Sequence, residues 1–134
     1  MSQYQKWRGH AEIVLENYHR NKRWLKEMEV QAIYGNDKEP GLPRGSDVSD
    51  PTQSAAMQLL QTRVQQAQRE VDAVDRVRKQ VRHKESLSTL LNMVWIDRRC
   101  RLYQAAELMD ISYRTAVRYK RTICTMLAKE LGWI

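Results

Sequence analysis

The chain contains few residues that break or cross-link helices. Its 134 residues include five glycines, three prolines and two cysteines, and most of the glycines and prolines lie between Gly35 and Pro51. A chain with so few helix breakers elsewhere is predicted to be mostly helical. Cys100 and Cys124 are far apart and match neither a metal-site spacing nor a Cys-x-x-Cys redox pair, so neither site is expected. A disulfide between them is not expected in a reducing compartment.

Long apolar runs are also missing. No stretch approaches the roughly 18–20 apolar residues that span a bilayer, and the first ten residues, MSQYQKWRGH, lack the apolar segment of a signal peptide. We therefore expect a cytoplasmic protein that does not bind membranes. We also find no glycine-rich phosphate loop, no metal-ligand cluster and no nucleophile beside a base, and the three histidines lie apart. Neither enzymatic activity nor a cofactor is expected.

Positive charge is in excess. Lysine and arginine total 23 against 16 acidic residues, which gives a net charge of +7 and a pI of about 9.6. From charge alone, this excess favours a polyanionic partner, nucleic acid first and an anionic membrane surface second.

The most informative stretch runs from Leu102 to Leu131. Leu102, Ala105, Ala106 and Met109 recur at spacings of three and four, so they share one face of a helix. The periodicity stops at 110–112, where Ser112 can cap a second helix by accepting a backbone hydrogen bond. Two helices joined by such a turn predict a helix-turn-helix, whose second helix enters the DNA major groove.

The predicted second helix begins at Tyr113 and has two different faces. Its inner face is predicted to consist of Ala116, Tyr119, Ile123, Met126 and Leu127. Its outer face carries aromatic, apolar and basic side chains suited to base edges and phosphates: Tyr113, Arg114, Val117, Arg118 and Arg121. A second basic segment, DRRCR at 97–101, precedes the first helix and is placed to touch a phosphate backbone.

The segment Leu102–Leu127 resembles the helix-turn-helix of bacterial sigma factor region 4, in which an Asp-apolar-Ser/Thr turn precedes an arginine-rich recognition helix. The tail YRTAVRYKRTICTMLAKELG, together with PRGSDVSDPT earlier in the chain, is similar to small phage-encoded regulators of the RinA and ArpU families. This resemblance implies a DNA-binding activator of late phage genes that acts in the bacterial host cell.

The resemblance also implies roles for individual residues. Base contacts are implied for Tyr113, Arg114, Val117 and Arg118, and phosphate contacts for Arg121 and Thr122. The full set of predicted DNA-binding residues is Tyr113, Arg114, Thr115, Val117, Arg118, Arg121, Thr122, Arg98, Arg99 and Arg101. The chain departs from the pattern at four positions: Asp110 replaces a common glycine, Ala116 and Tyr119 replace branched aliphatics, and Val117 replaces a polar residue.

The N-terminal part shows two heptad seams. One helix is predicted from Tyr4 to about Ile33, with a polar interruption at Asn21, and another from Asp50 to His83, with an interruption at Arg78. The connector at 34–50 is rich in turn formers. It allows the helices to fold back as an antiparallel hairpin in which Ala11 lies opposite Arg78. In the alternative, each helix pairs with its copy in a second chain.

The helix after the hairpin is predicted to start at Lys84-Glu85-Ser86 and to cover the back of the helix-turn-helix. Its inner face is predicted to consist of Leu87, Leu90, Leu91, Val94 and Trp95. Gly132 is a predicted C-cap, and Trp133-Ile134 is expected either to cover the core or to dock a partner. The sequence thus predicts an all-α fold with a helical hairpin or oligomerisation region at 1–83 and a DNA-binding domain of three to four helices at 84–134.

The leading functional hypothesis is a sequence-specific transcription regulator that binds double-stranded DNA as a homodimer, with a possible contact to host RNA polymerase. The connector run PRGSDVSDP either makes such a contact or serves only as a loop and helix cap. Two other functions stay open: a phage DNA-packaging recognition subunit resembling a small terminase, and a coiled-coil adaptor that does not read DNA.

Overall fold

The computed structural model describes residues 3–37 and 51–134, and every regular element in these ranges is helical. This confirms the all-α class. The six α-helices are α1 (Gln3–Glu16), α2 (Tyr18–Asp37), α3 (Pro51–Gln80), α4 (Glu85–Leu91), α5 (Leu102–Leu108) and α6 (Tyr113–Glu130). A 3₁₀ turn at Val81–His83 extends α3, and a π-helical turn at Asn92–Ile96 follows α4.

The first predicted helix is interrupted at one residue. α1 ends at Glu16 and α2 begins at Tyr18, so the prediction of one continuous helix is wrong at Asn17. Helical hydrogen bonds still cross the break, because the Asn17 N–H donates to the Ile13 carbonyl at 2.9 Å. The break separates two packing partners, since α1 packs against α6 whereas α2 packs against α3. The heptad pattern does not reveal this change of partner.

α2 and α3 meet at a polar cluster next to the core. The Tyr18 hydroxyl donates to Asp75 Oδ1 at 2.6 Å and accepts from Arg78 Nη1 at 3.1 Å. Arg78 was predicted to lie opposite Ala11, and that pairing stays a prediction, because the contacts that the structure shows for Arg78 are with Tyr18 and Asp75. At its other end α2 continues to Asp37, beyond Tyr34, where the connector was predicted to begin.

Several predictions fall on the remaining part of the chain. Most of the connector, including all but the last residue of the run PRGSDVSDP, lies at 38–50, outside the described residues.

The π-helical turn changes which side chains of the fourth helix face inward. Leu87, Leu90, Leu91 and Trp95 are buried as predicted, but Val94 is only half-buried and Ile96 is buried instead. The Asp97 N–H donates to the Asn92 carbonyl at 2.6 Å, five residues back, which is the π-helical pattern. The additional residue in this turn rotates the following positions away from the regular α-helical face.

One apolar core joins the N-terminal and C-terminal parts of the chain, and α6 packs against α1, α3, α4 and α5 around it. Its largest fully buried side chains are Tyr18, Leu15, Leu90, Leu91, Ile123, Leu127, Val74, Val77 and Val81. The predicted division into domains after residue 83 stays a prediction, and any such boundary crosses this core.

Gly132 caps α6 as predicted, whereas Trp133 and Ile134, which were expected either to cover the core or to dock a partner, are exposed. Gly132 has a φ of 75°, its N–H donates to the Lys129 carbonyl, and the Trp133 N–H donates to the Ala128 carbonyl at 2.9 Å. This left-handed cap ends the helix and is the conformation that glycine adopts most easily. Among the residues described, no helix combines the length and the apolar character needed to cross a bilayer.

Candidate nucleic-acid interface

The turn between α5 and α6 is closed by backbone hydrogen bonds. The Ile111 N–H donates to the Ala106 carbonyl at 3.0 Å, and the Asp110 N–H donates to the Glu107 carbonyl at 3.1 Å. This pair of bonds is a Schellman motif, which requires a left-handed residue just after the helix. Asp110 occupies that position with a φ of 57°. Aspartate tolerates this conformation better than most residues, so it can replace the more common glycine.

Ser112 begins α6 as predicted. Its Oγ accepts a hydrogen bond from the Thr115 N–H at 3.1 Å and lies 2.9 Å from Thr115 Oγ1. Two small side chains, Ala106 and Ala116, are buried where α5 and α6 pack together. The turn therefore fixes both the start and the direction of α6.

Three arginines on α6 form an exposed strip. Arg114, Arg118 and Arg121 are exposed, and a rotation of about 100° per residue places them within roughly 60° of one another around the helix. We call these three residues the arginine strip. The opposite side of α6 is buried through Ala116, Ile123 and Leu127, so the strip faces away from the core.

Tyr113 and Val117 lie beside the strip. Tyr113 is 57% exposed, whereas Val117 is half-buried. The same rotation places both of them between the arginine strip and Lys120, which is on the next turn of the helix. The predicted base-contacting residues thus form one continuous surface on the N-terminal half of α6.

The two threonines in the predicted set already use their hydroxyl groups. Thr122 Oγ1 donates to the Arg118 carbonyl at 3.1 Å, and Thr115 Oγ1 is hydrogen-bonded to Ser112 Oγ. Phosphate oxygens only accept hydrogen bonds. A phosphate contact through Thr122 therefore requires its hydroxyl to leave the backbone carbonyl.

The basic connector lies next to α6. Arg98, Arg99 and Arg101 are exposed and line a pocket of about 610 Å³ together with Lys120. Arg98 adopts a left-handed φ of 51°, and the next N–H, that of Arg99, donates to the Met93 carbonyl at 2.9 Å. This closure brings the connector back towards α6, so the structure unites two basic segments that the sequence showed separately.

Lys120 was not among the predicted site residues. Its Nζ lies 2.7 Å from Glu12 Oε1 on α1, and Glu12 and Glu16 line the acidic side of the same pocket. The only sequence signal for Lys120 as a site residue is its spacing of seven from Tyr113, which places both on the same side of α6. Its pairing with Glu12 could not be predicted, because Glu12 is distant in the chain. The pair fixes α1 against α6 and sets the acidic limit of the basic surface.

Beneath this pair lies Cys124, which is buried. Burial first, and then the Glu12 carboxylate, raise the pKa of its thiol to about 11, although Lys120 and Arg8 act in the opposite direction. Cys124 and Cys100 are both free thiols. Cys124 is therefore a packing residue of α6, and it is protonated at neutral pH.

The surface defined by α6 and the connector can attract a polyanion and offers both apolar and hydrogen-bonding side chains. Within residues 3–37 and 51–134 no group of histidine, cysteine or acidic side chains could hold a metal ion. No family model, no curated protein and no solved structure matches the chain, so the candidate interface stands on the geometry of its own residues.

Proposed function

We propose that the chain is a sequence-specific DNA-binding transcription regulator, an activator of phage late genes, that reads the major groove with α6. The observation that carries the proposal is the arginine strip, which begins two residues after a capped turn and faces away from the core. The resemblance to the RinA and ArpU regulators adds the expectation of late phage genes.

In this proposal α5 and α6 act as a helix-turn-helix. α5 crosses the DNA backbone, and the N-terminal half of α6 lies in the groove. Arg114 and Arg118 donate hydrogen bonds to base edges, for which guanine O6 and N7 are the commonest acceptors of arginine. Val117 is apolar and fits against a thymine methyl group.

Phosphate contacts are proposed for the residues around α6. Arg121 continues the arginine strip by one turn, and the connector arginines Arg98, Arg99 and Arg101 extend the basic surface beside it. Such contacts supply affinity through counterion release and position the reading helix, but they do not select a sequence.

The rest of the chain is proposed to join two copies. The contacts of α2 with α3 support an antiparallel hairpin, and a second copy doubles the number of base pairs read. A contact with host RNA polymerase is proposed through surfaces outside α6.

The test is selection of bound duplexes from a random library, followed by fluorescence anisotropy with the enriched duplex and a scrambled one. We expect one enriched motif, and Arg118→Ala should weaken binding to it by about 5- to 150-fold. Exchange of all three strip arginines for alanine should also reduce the salt dependence. The log–log slope should fall by about 0.9 for each DNA phosphate that the variant no longer neutralises.

The matched control replaces Arg23, Arg63 and Arg69, which are exposed on α2 and α3. It removes the same charge, and we expect a change of less than about tenfold without loss of sequence preference. Equal reductions of affinity in both triple variants would show that charge alone causes binding, and a flat response across duplexes would favour a coiled-coil adaptor. Ring-shaped oligomers that bind a packaging site would favour the terminase-like function.

A further inference from the structure

An apolar groove runs along α2 and α3 beyond the core. Its volume is about 1080 Å³. The apolar side chains that line it are Leu25, Met28, Ala32, Leu60, Val64 and Val71. Leu60, which lines the outer end of the groove, is 37% exposed, and Met57, about one turn before it on α3, is 56% exposed. Two helices alone form a single layer, and a stable domain requires a second layer to cover such a face.

The sides of the groove are polar and follow a heptad spacing. On α3 the residues at 61, 65, 68, 72 and 75 line it, and on α2 the residues at 22, 26 and 29 do so. Alternating steps of four and three keep each row on one side of its helix. An apolar floor between two such rows is the geometry of an incomplete helical bundle.

The two rows carry opposite charges at the same level. Lys22 and Lys26 lie on the α2 side, and Asp72 and Asp75 lie on the α3 side. The Tyr18 hydroxyl donates to Asp75 Oδ1 at 2.6 Å, and Tyr18 lies one turn before Lys22 on α2. This bond shows which residues of the two helices lie side by side. A second copy rotated about an axis parallel to the groove would place its aspartates opposite these lysines.

We propose that this groove is a homodimer interface, in which the α2–α3 pair of a second copy completes a four-helix bundle. α2 of each copy lies against α3 of the other, so Lys22 and Lys26 face Asp72 and Asp75 of the second molecule, and the reciprocal contact repeats by symmetry. The chain segment at 38–50 is a poorer occupant, because its only branched aliphatic residues are Leu42 and Val48.

This arrangement places both α6 surfaces at the same end of the bundle. The dimer therefore extends the proposed function. It rests on that function only in its purpose, which is to bring two copies of α6 to one DNA site. Dimerisation itself depends on α2 and α3 and is measured in the absence of DNA, so its failure is distinguishable from a failure of DNA binding.

The first experiment measures the molar mass of the full chain by light scattering and sedimentation. We expect twice the chain mass of 15.9 kDa. Leu60→Asp should shift the protein to one chain mass with unchanged helical circular dichroism, because Leu60 is already partly exposed. The control Leu108→Asp changes a leucine that is 71% exposed on α5, and it should stay a dimer.

The second experiment tests the charge pairing. Lys26→Glu and Asp72→Lys should each raise the dimer dissociation constant by at least about tenfold, because each variant places like charges opposite one another. The double variant should restore the affinity of the natural chain. Two control variants reverse charges at positions outside the groove, Arg63→Glu on α3 and Glu27→Lys on α2. Both should leave the dimer intact.

A natural chain that is monomeric throughout the concentration series overturns the proposal, and so does a larger oligomer. The proposal is also overturned by a dimer that is unaffected by Leu60→Asp. A dimer in which the double charge variant fails to recover affinity rejects the stated pairing of α2 with α3.

Discussion

Ser112 offers a direct test of the link between the turn and the proposed DNA contact. Its Oγ accepts the Thr115 N–H at 3.1 Å and so satisfies one of the free donors at the start of α6. Ser112→Ala removes this acceptor, whereas Ser112→Asp retains an acceptor and adds a negative charge at the same place. The two variants therefore separate the stability of the helix from the charge of its surface.

The expected magnitudes follow from the geometry of the cap. Loss of a serine N-cap costs about 0.5–2 kcal/mol, and about 1 kcal/mol is typical. Ser112 is exposed, so water can replace part of the missing hydrogen bond, and we expect about 1 kcal/mol for Ser112→Ala. Ser112→Asp should leave stability unchanged or raise it by about 0.3–1 kcal/mol, because a carboxylate interacts favourably with the helix N-terminus.

The expected effects on DNA binding have the reverse order. Ser112→Ala leaves the charge of the surface unchanged, and its affinity for the selected duplex should change little at temperatures well below unfolding. Ser112→Asp places a carboxylate at the end of α6 that enters the groove, so its affinity should fall by about tenfold or more, and most strongly at low salt.

The assays are urea denaturation followed by circular dichroism, and anisotropy with the selected duplex at two salt concentrations. Ser112→Thr is the control, since threonine also caps helices and adds no charge. The reasoning is refuted if Ser112→Asp binds DNA as well as the natural chain at low salt. An unchanged stability of Ser112→Ala would show that the Ser112–Thr115 bond contributes nothing to the start of α6.

Three other predictions concern the scaffold. Leu127 is fully buried on α6, so Leu127→Ala should lower the free energy of unfolding by about 2–5 kcal/mol. Circular dichroism and tryptophan fluorescence at fixed protein concentration should show one common unfolding transition, shifted to lower stability, whereas two separate transitions would favour independent domains. Asp110→Gly should raise the free energy of unfolding by up to about 1–2 kcal/mol in urea titrations, because it relieves a left-handed residue, and a decrease would show that the Asp110 side chain stabilises the turn. Because the pKa of the Cys124 thiol is raised to about 11 in the folded protein, the free energy of unfolding should fall by about 2–3 kcal/mol as the pH rises from about 9 to about 11. Cys124→Ala has no thiol, so urea titrations over this pH range should show a smaller fall for this variant. Equally steep falls in both proteins would contradict the prediction.

Much of the local structure was predictable because its causes lie within a few residues. The cap at Ser112 and the left-handed residue at Gly132 depend on hydrogen bonds to positions three to five residues away, and both follow from residue type and spacing. The bounds of α5 agree with the periodicity that begins at Leu102. The exposure of the arginine strip follows in the same way from the spacing of apolar residues on α6.

The candidate interface was predictable in part. The individual residues of α6 and of the basic connector follow from the sequence, but their union beside Lys120 depends on the connector returning towards α6. That return requires a left-handed arginine at position 98. Arginine rarely adopts this conformation, so no rule based on residue type predicts it.

The amino-acid sequence by itself determined the helical class, the bounds of α5, the capped start of α6 and the basic face of α6, because each depends on short-range periodicity and on backbone capping. Only the tertiary structure decided that the helix breaks at Asn17, that a π-helical turn brings Ile96 inward, and that Glu12 meets Lys120. These features arise where helices that are distant in the chain pack against one another. A residue's spacing shows which side of its helix it occupies, but the other helices determine which side is covered.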